Sequence, residues 1–283
     1  MNGVNRRSFL KLGGAGLGLA AVGAVVPALP ATAREPHRSD GCGPGQELNQ
    51  LVGFNWSNEQ APPLTDSTLL GTMADHPSRA FRYPGGTISE HWNWRTGDRP
   101  GQGKHHSPWP LEDLRSFCDQ TGTQPVYDLD IAYGTLDDQL ALLAHAESIG
   151  LPVTYVELGN EFYLDGAVSK FATVEDYGIK ASEWASEITS QHPGARVGVV
   201  GWDRNKIFTA TERQSTWNSR LRPFIEANPH ITSLTVHPYT FINYLQRLHG
   251  EILDISPANI QRLLAMATDA STDIMEVIAD DLP

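Results

Sequence analysis

An amide and a carboxylate stand side by side at Asn160-Glu161, after Gly159 and an apolar run that includes Val153, Tyr155 and Val156. Pro152 keeps a helix from running in, and β-branched and aromatic residues favour a strand, so the pair falls where a strand ends. A carboxylic acid there can protonate a leaving oxygen while the amide holds a hydroxyl, which is work on a sugar. An Asn-Glu dipeptide alone reads better as an ordinary polar loop. Its place after an apolar strand and a glycine, within a series of such strands, favours catalysis. The same kind of position recurs along the chain, where Asn55, Arg82, Asp130, Asp203 and His237 each close an apolar run.

The elements that carry these residues alternate strand, loop and helix every roughly 30 to 40 residues, the length of a βαβ unit. Strands are expected at Leu51–Trp56, Arg79–Thr87, Gln124–Ile131, the run into Gly159, Ala195–Trp202 and Ser233–Tyr239. Helices are expected at Thr65–Asp75, Leu111–Gln120, Thr135–Ile149, Thr173–Gln191, Trp217–Ala227 and Pro257–Ala270. Leu111, Leu114, Phe117 and Cys118 mark one helix face, and Thr-x-x-Asp starts the third and fourth helices as a capping box. The fold class is α/β, with a parallel sheet covered by helices. A (β/α)8 barrel is preferred to a doubly wound sheet because polar residues close nearly every strand, and no glycine-rich phosphate fingerprint follows the first. Six of the eight barrel strands are countable. The inward side-chain layers are expected to hold Val52, Phe54, Val126, Val156 and Val199.

Three segments carry a resemblance: Phe81-Arg82-Tyr83-Pro84-Gly85-Gly86, Gly159-Asn160-Glu161 and Val236-His237-Pro238-Tyr239. In this order they resemble clan A glycoside hydrolases, above all α-L-arabinofuranosidases and heparanase-type β-glucuronidases, from Leu51 to the end of the chain. The resemblance implies a retaining double displacement with Glu161 as general acid/base and Asn160 holding the sugar 2-hydroxyl. Arg82 would lie under the nucleophile and keep it ionised, as a permanently charged guanidinium can. His237 and Tyr239 would line the same pocket. Against these roles stand a structural ion pair for Arg82, a satisfied buried imidazole for His237 and plain packing for Tyr239. Two positions depart from the family: Thr87 replaces a common Asn after the Pro-Gly-Gly turn, and Asp130 stands where Asn is expected in the heparanase-like members. Both face the sugar in the family, so the resemblance does not fix the sugar. Trp92, Trp94 and Trp109 lie in the loop after the second strand, where Trp94 is a candidate for stacking on a sugar ring and loop anchoring is the alternative. His105-His106 lacks a carboxylate pair, and neither metal nor cofactor is expected.

Composition narrows the partners. Met1 to Ala33 hold three basic residues and no acid, leaving 33 acidic against 18 basic residues, a net of −15 for the remainder. That argues against nucleic acid or an anionic membrane as a partner and suits a neutral substrate better than a polyanionic one. Asn5-Arg6-Arg7-Ser8-Phe9-Leu10-Lys11, a Gly/Ala-rich apolar stretch and Ala31-Thr32-Ala33 resemble a twin-arginine signal peptide. Its expected partner is the twin-arginine export machinery, its destination the periplasm or the extracellular space. Pro27, Pro30 and several glycines make the stretch a poor membrane anchor. The expected division is 1–33 signal peptide, 34–49 unstructured leader and 50–283 partial barrel. Two cysteines, Cys42 and Cys118, are too few for a disulfide framework.

A retaining glycosidase needs a second carboxylate, expected to end a seventh strand. The late stretch Asp273-Ile274-Met275-Glu276-Val277-Ile278 has helical periodicity, which puts Glu276 on a helix surface. The expectation is an amino-terminal part of a longer enzyme, with the nucleophile beyond Pro283 and the six units inactive alone, their first and last strands left with bare edges. Two alternatives stay open. One is a carbohydrate-binding pseudoenzyme without the nucleophile. The other is an inverting hydrolase with Asp130 or Asp203 as base, its carboxyls ~6.5–9.5 Å apart.

Overall fold

The computed structural model describes residues 53–55, 62–75, 78–100, 107–203 and 210–237, all within the unit that runs from Gly43 to Pro283. Its strands are β1 (Gly53–Asn55), β2 (Ala80–Tyr83), β3 (Gln124–Asp128), β4 (Tyr155–Glu157), β5 (Arg196–Val200) and β6 (Ile231–Thr235). Its helices are α1 (Ser67–Asp75), α2 (Leu111–Thr121), α3 (Leu136–Ser148), α4 (Val174–Gln191) and α5 (Glu212–Ala227). The six strands are all parallel and lie in sequence order. A doubly wound sheet reverses its order at a switch point. Here every crossover steps the same way, which is the order of a (β/α)8 barrel, six strands of which are present.

Local chemistry sets the helix starts. Thr135 accepts a hydrogen bond from the Asp138 amide at 3.3 Å before α3. Thr173 and Asp176 form a complete capping box before α4. The reciprocal bond is not formed at Thr135, so the expected box there is only half made, and the second complete box, Thr211 with Gln214, opens α5. That helix therefore begins at Glu212, ahead of the Trp217 expected from its apolar residues. β6 also begins earlier, at Ile231 and not at Ser233, and ends at Thr235. A register shift between Val197 and Gly198 accommodates it against β5.

The two faces of the sheet differ from the sequence expectation. Register aligns Phe81 with Phe54, Tyr83 with Tyr127, Tyr127 with Val156, and Val156 with Val197. Phe81 meets the α2 residue Phe117 at 4.8 Å between ring centroids, so this row faces the helices. Phe54, Val156 and Val199, expected inside the barrel, belong to the same row. The opposite row carries Arg82, Val126, Asp128, Tyr155 and Glu157. Strand alternation forces this, because a residue next to Arg82 or Glu157 must point the other way.

The helices also fix the carboxyl ends of β4 and β5. The buried Tyr177 hydroxyl of α4 donates to the Leu158 carbonyl and accepts from the Val200 amide, both at 2.9 Å. Trp217 of α5 donates its indole N–H to the Val200 carbonyl at 2.7 Å. α4 and α5 pack closely at Gly178, where an added Cβ would lie 2.5 Å from the Phe224 ring. Among the described residues no helix is long and apolar enough to cross a membrane. The signal peptide, the leader, His105-His106, Tyr239, the helix expected at Pro257–Ala270 and Glu276 lie outside the described residues.

Candidate functional site

Arg82 sits on the inner row of β2, 7% exposed. Its Nε donates to Glu157 Oε2 at 2.5 Å, and its Nη2 lies 2.9 Å from Asp128 Oδ2. The same Nη2 donates to Asn160 Oδ1 at 3.3 Å. Three strand ends thus converge on one guanidinium. Burial works against its charge, yet the neighbouring carboxylates of Asp128 and Glu157 outweigh it and hold the Arg82 pKa above the ordinary value. Burial pushes the Asp128 carboxyl up, opposed by Arg82. Arg82 Nη1 is buried without a hydrogen-bond partner among the described residues. A buried guanidinium N–H without a partner is costly, so Nη1 is able to take one more acceptor.

Asn160 links this cradle to the next loop, its Nδ2 donating to Thr87 Oγ1 at 3.2 Å. Thr87 lies in the short 3-10 turn Gly86–Ser89, which follows the cis Tyr83–Pro84 peptide. The position that departs from the family pattern is therefore a direct partner of Asn160. Among the described residues the second amide hydrogen of Asn160 has no partner.

Glu161 is a non-glycine residue with φ 51°, in the left-handed region. The chain turns here because Gly159, at φ 89°, precedes it, and a Cβ on Gly159 would lie 2.2 Å from the Phe162 ring. Phe162 is fully buried and its carbonyl accepts two hydrogen bonds from Arg213 of α5, at 3.0 and 2.9 Å. Arg213 also donates to the Phe171 and Ala172 carbonyls at 2.9 and 3.1 Å. The turn that presents Glu161 is thus fastened from behind. In front, Tyr163 donates its hydroxyl to Glu161 Oε1 at 3.0 Å. His237 Nδ1 stands 3.4 Å from the same oxygen, at the carboxyl end of β6.

The structure brings Arg82, Asn160, Glu161 and His237 together. Asp130 is close by but differently occupied: its Oδ2 accepts from the His91 amide at 2.7 Å and its Oδ1 from the Tyr133 amide at 2.9 Å. Trp94 rests on α3, with its ring 5.5 Å from His145 and the Arg95 guanidinium 4.1 Å above it. None of these contacts reaches the Arg82 cradle. Trp92 and Trp109 are buried anchors; Trp92 meets Tyr83 edge-on and Trp109 donates to the Pro62 carbonyl at 3.0 Å. Asp203 is buried at the carboxyl end of β5. Sequence reasoning missed Asp128, Glu157 and Tyr163. The first two could have been found by stepping two residues at a time along β3 and β4 into register with Arg82. It also missed the pair of Lys170 with the buried Glu90, which joins the loops after β4 and β2.

No protein-family model matches the chain. A probable α-L-arabinofuranosidase C of Aspergillus flavus is 26% identical over 230 residues, covering 70% of this chain and 42% of that protein. The α-L-arabinofuranosidase C of Emericella nidulans is 25% identical over 216 residues, covering 63% of this chain and 42% of that protein. The chain thus spans less than half the length of these curated relatives. Among solved structures, a family 51 α-L-arabinofuranosidase from Bifidobacterium longum superposes with a TM-score of 0.55 at 17% identity, over 77% of this chain and 47% of that one. That likeness carries the fold, and the strand order agrees with it.

Proposed function

From a chain that is homologous to α-L-arabinofuranosidases and holds six strands of a (β/α)8 barrel, we propose an exported retaining glycoside hydrolase that cleaves O-glycosidic bonds. Glu161 is the acid/base: it protonates the leaving oxygen, then takes a proton from the water that attacks the glycosyl-enzyme. Asn160 offers its remaining amide hydrogen to the sugar 2-hydroxyl. The observation that carries the reading is the cradle, where Arg82 holds Asn160 beside Glu161 and keeps Nη1 open. We assign that open position to the nucleophilic carboxylate, from a residue outside the described ones. Tyr163 and His237 both reach Oε1 of Glu161, which holds the carboxyl in place at the mouth of the cradle. The inverting alternative through Asp130 fares worse, because both oxygens of that carboxylate already serve main-chain amides. The arginine pair and the apolar stretch that follows it support export by the twin-arginine route.

The relatives' names make an aryl α-L-arabinofuranoside the first substrate to try in the full-length protein. Glu161→Ala is expected to slow substrates with poor leaving groups by about 10²–10⁴-fold, the usual worth of general acid help, and to spare activated aryl glycosides in the first step. Equal losses on both kinds of substrate would remove Glu161 from the role.

A further inference from the structure

We propose that His91 and Tyr133 form a stacking platform for a second sugar ring, on the leaving-group side of the cradle. The inference rests on the glycosidase reading above and adds a binding site to it. The two rings stack at 3.9 Å between centroids with their planes 25° apart. Tyr133 is nonetheless 47% exposed, and His91 is exposed as well. An aromatic pair with so much open face is not core packing.

The platform is built from below. One buried carboxylate, Asp130, accepts from the main-chain amides of both residues, one on each oxygen. Asp130 is itself held through its own amide, which donates to Gln139 Oε1 at 3.2 Å, and its carbonyl, which accepts from the Gly134 amide at 3.0 Å. The loops after β2 and β3 are therefore joined without help from the rings. His91 also holds φ 63°, a backbone conformation that glycine takes freely and histidine only against strain. A glycine would serve the turn, so the ring needs another reason to be there.

Its position supplies one. His91 directly follows Glu90, in the loop whose Thr87 takes the hydrogen bond from Asn160. Asp130 lies two residues beyond Asp128, which pairs with Arg82. The platform thus stands just past the cradle at the carboxyl ends of β2 and β3, where a barrel enzyme meets its substrate. A flat ring with a polar rim suits the C–H face of a sugar, with the imidazole and phenol edges left to bond its hydroxyls.

The test is a pair of substrates with the same terminal sugar, one a glycosyl fluoride, whose leaving group is too small to reach the platform, and one an oligosaccharide, assayed with the full-length protein. Tyr133→Ala is expected to raise KM for the oligosaccharide about 2- to 10-fold, the worth of one aromatic contact, and to leave the glycosyl fluoride unchanged. Tyr133→Phe should keep the wild-type KM within about 2-fold, since the stacking face survives. His91→Gly should raise the oligosaccharide KM as Tyr133→Ala does while leaving the melting temperature level or higher, because the strain goes with the ring. Equal effects on the two substrates would make the pair a loop support and overturn the platform. Turnover with an unchanged oligosaccharide KM in Tyr133→Ala and His91→Gly would overturn the platform alone. No turnover of any glycoside by the wild-type protein would overturn the glycosidase reading and the platform with it.

Discussion

Arg213 is the clearest place to test how the fold holds Glu161. It lies on α5, away from the cradle, and its guanidinium gathers the carbonyls of Phe162, Phe171 and Ala172. Phe162 and Phe171 are buried, whereas the bond to Ala172 lies at the surface, where water can replace it. A hydrogen bond to a charged group is worth about 1.5–3 kcal/mol net, so the two buried carbonyls, each counted once and discounted for water entering the vacated space, give about 2–4 kcal/mol for Arg213→Ala. For a domain of this size that is a fall of roughly 5–12 °C in melting temperature. Arg213→Lys keeps the charge but not the planar fork, so it should recover only part of the loss. Freed at Phe162, the left-handed turn at Glu161 should relax, and kcat should fall more than KM rises. Thermal melts and glycoside kinetics on the full-length variants decide it. A shift within roughly 2 °C together with intact kcat would refute the clamp.

Two further outcomes follow from the packing. Gly159→Ala should cost about 2–5 kcal/mol in urea unfolding, since strain at φ 89° adds to a Cβ set against the Phe162 ring. Gly122→Ala is the control: its φ of 71° is comparable, nothing lies within 4 Å of its Cβ, and about 1–2 kcal/mol is expected, so equal losses would remove the clash from the account. Cys118 is a buried free thiol whose pKa burial pushes up to about 11. Its neutral form stabilises the fold below its ordinary value and that contribution is lost as pH rises towards 11, so alkylation of Cys118 at pH 8 should keep pace with global unfolding; rapid labelling of the native protein would contradict this.

What the sequence revealed and what it hid divide along physical lines. Local signals were legible. The Thr-x-x-Asp starts, the break at Gly159 and the polar residue closing each strand depend only on near neighbours, and they placed Arg82, Asn160, Glu161 and His237 in one site. The box at Thr211-x-x-Gln214 was equally local and was overlooked because the apolar residues of α5 begin later. Register was not legible. That Asp128 and Glu157 face Arg82 depends on three strands being aligned, and Val156 and Val199 were assigned to the barrel interior for the same reason. The tryptophans of the loop after β2 show a different limit. A large aromatic in a loop looks alike in sequence whether it is buried, as Trp109 is, or laid on a helix, as Trp94 is. Composition gave no sign of the exposed His91–Tyr133 stack, since it depends on two loops meeting over Asp130.

The loop after β2 is tied to its neighbours at three points: Thr87 to Asn160, Glu90 to Lys170, and the His91 amide to Asp130. The first two ties reach the segment after β4 and the third reaches the segment after β3. Barrel enzymes are often treated as modular, with loops that can be exchanged one at a time on a constant frame. These three cannot be. A graft that replaced one alone would strand an amide, a buried ion or a strained backbone in the two left behind, and substitutions across them should combine non-additively. The unit of exchange in this barrel is the triplet.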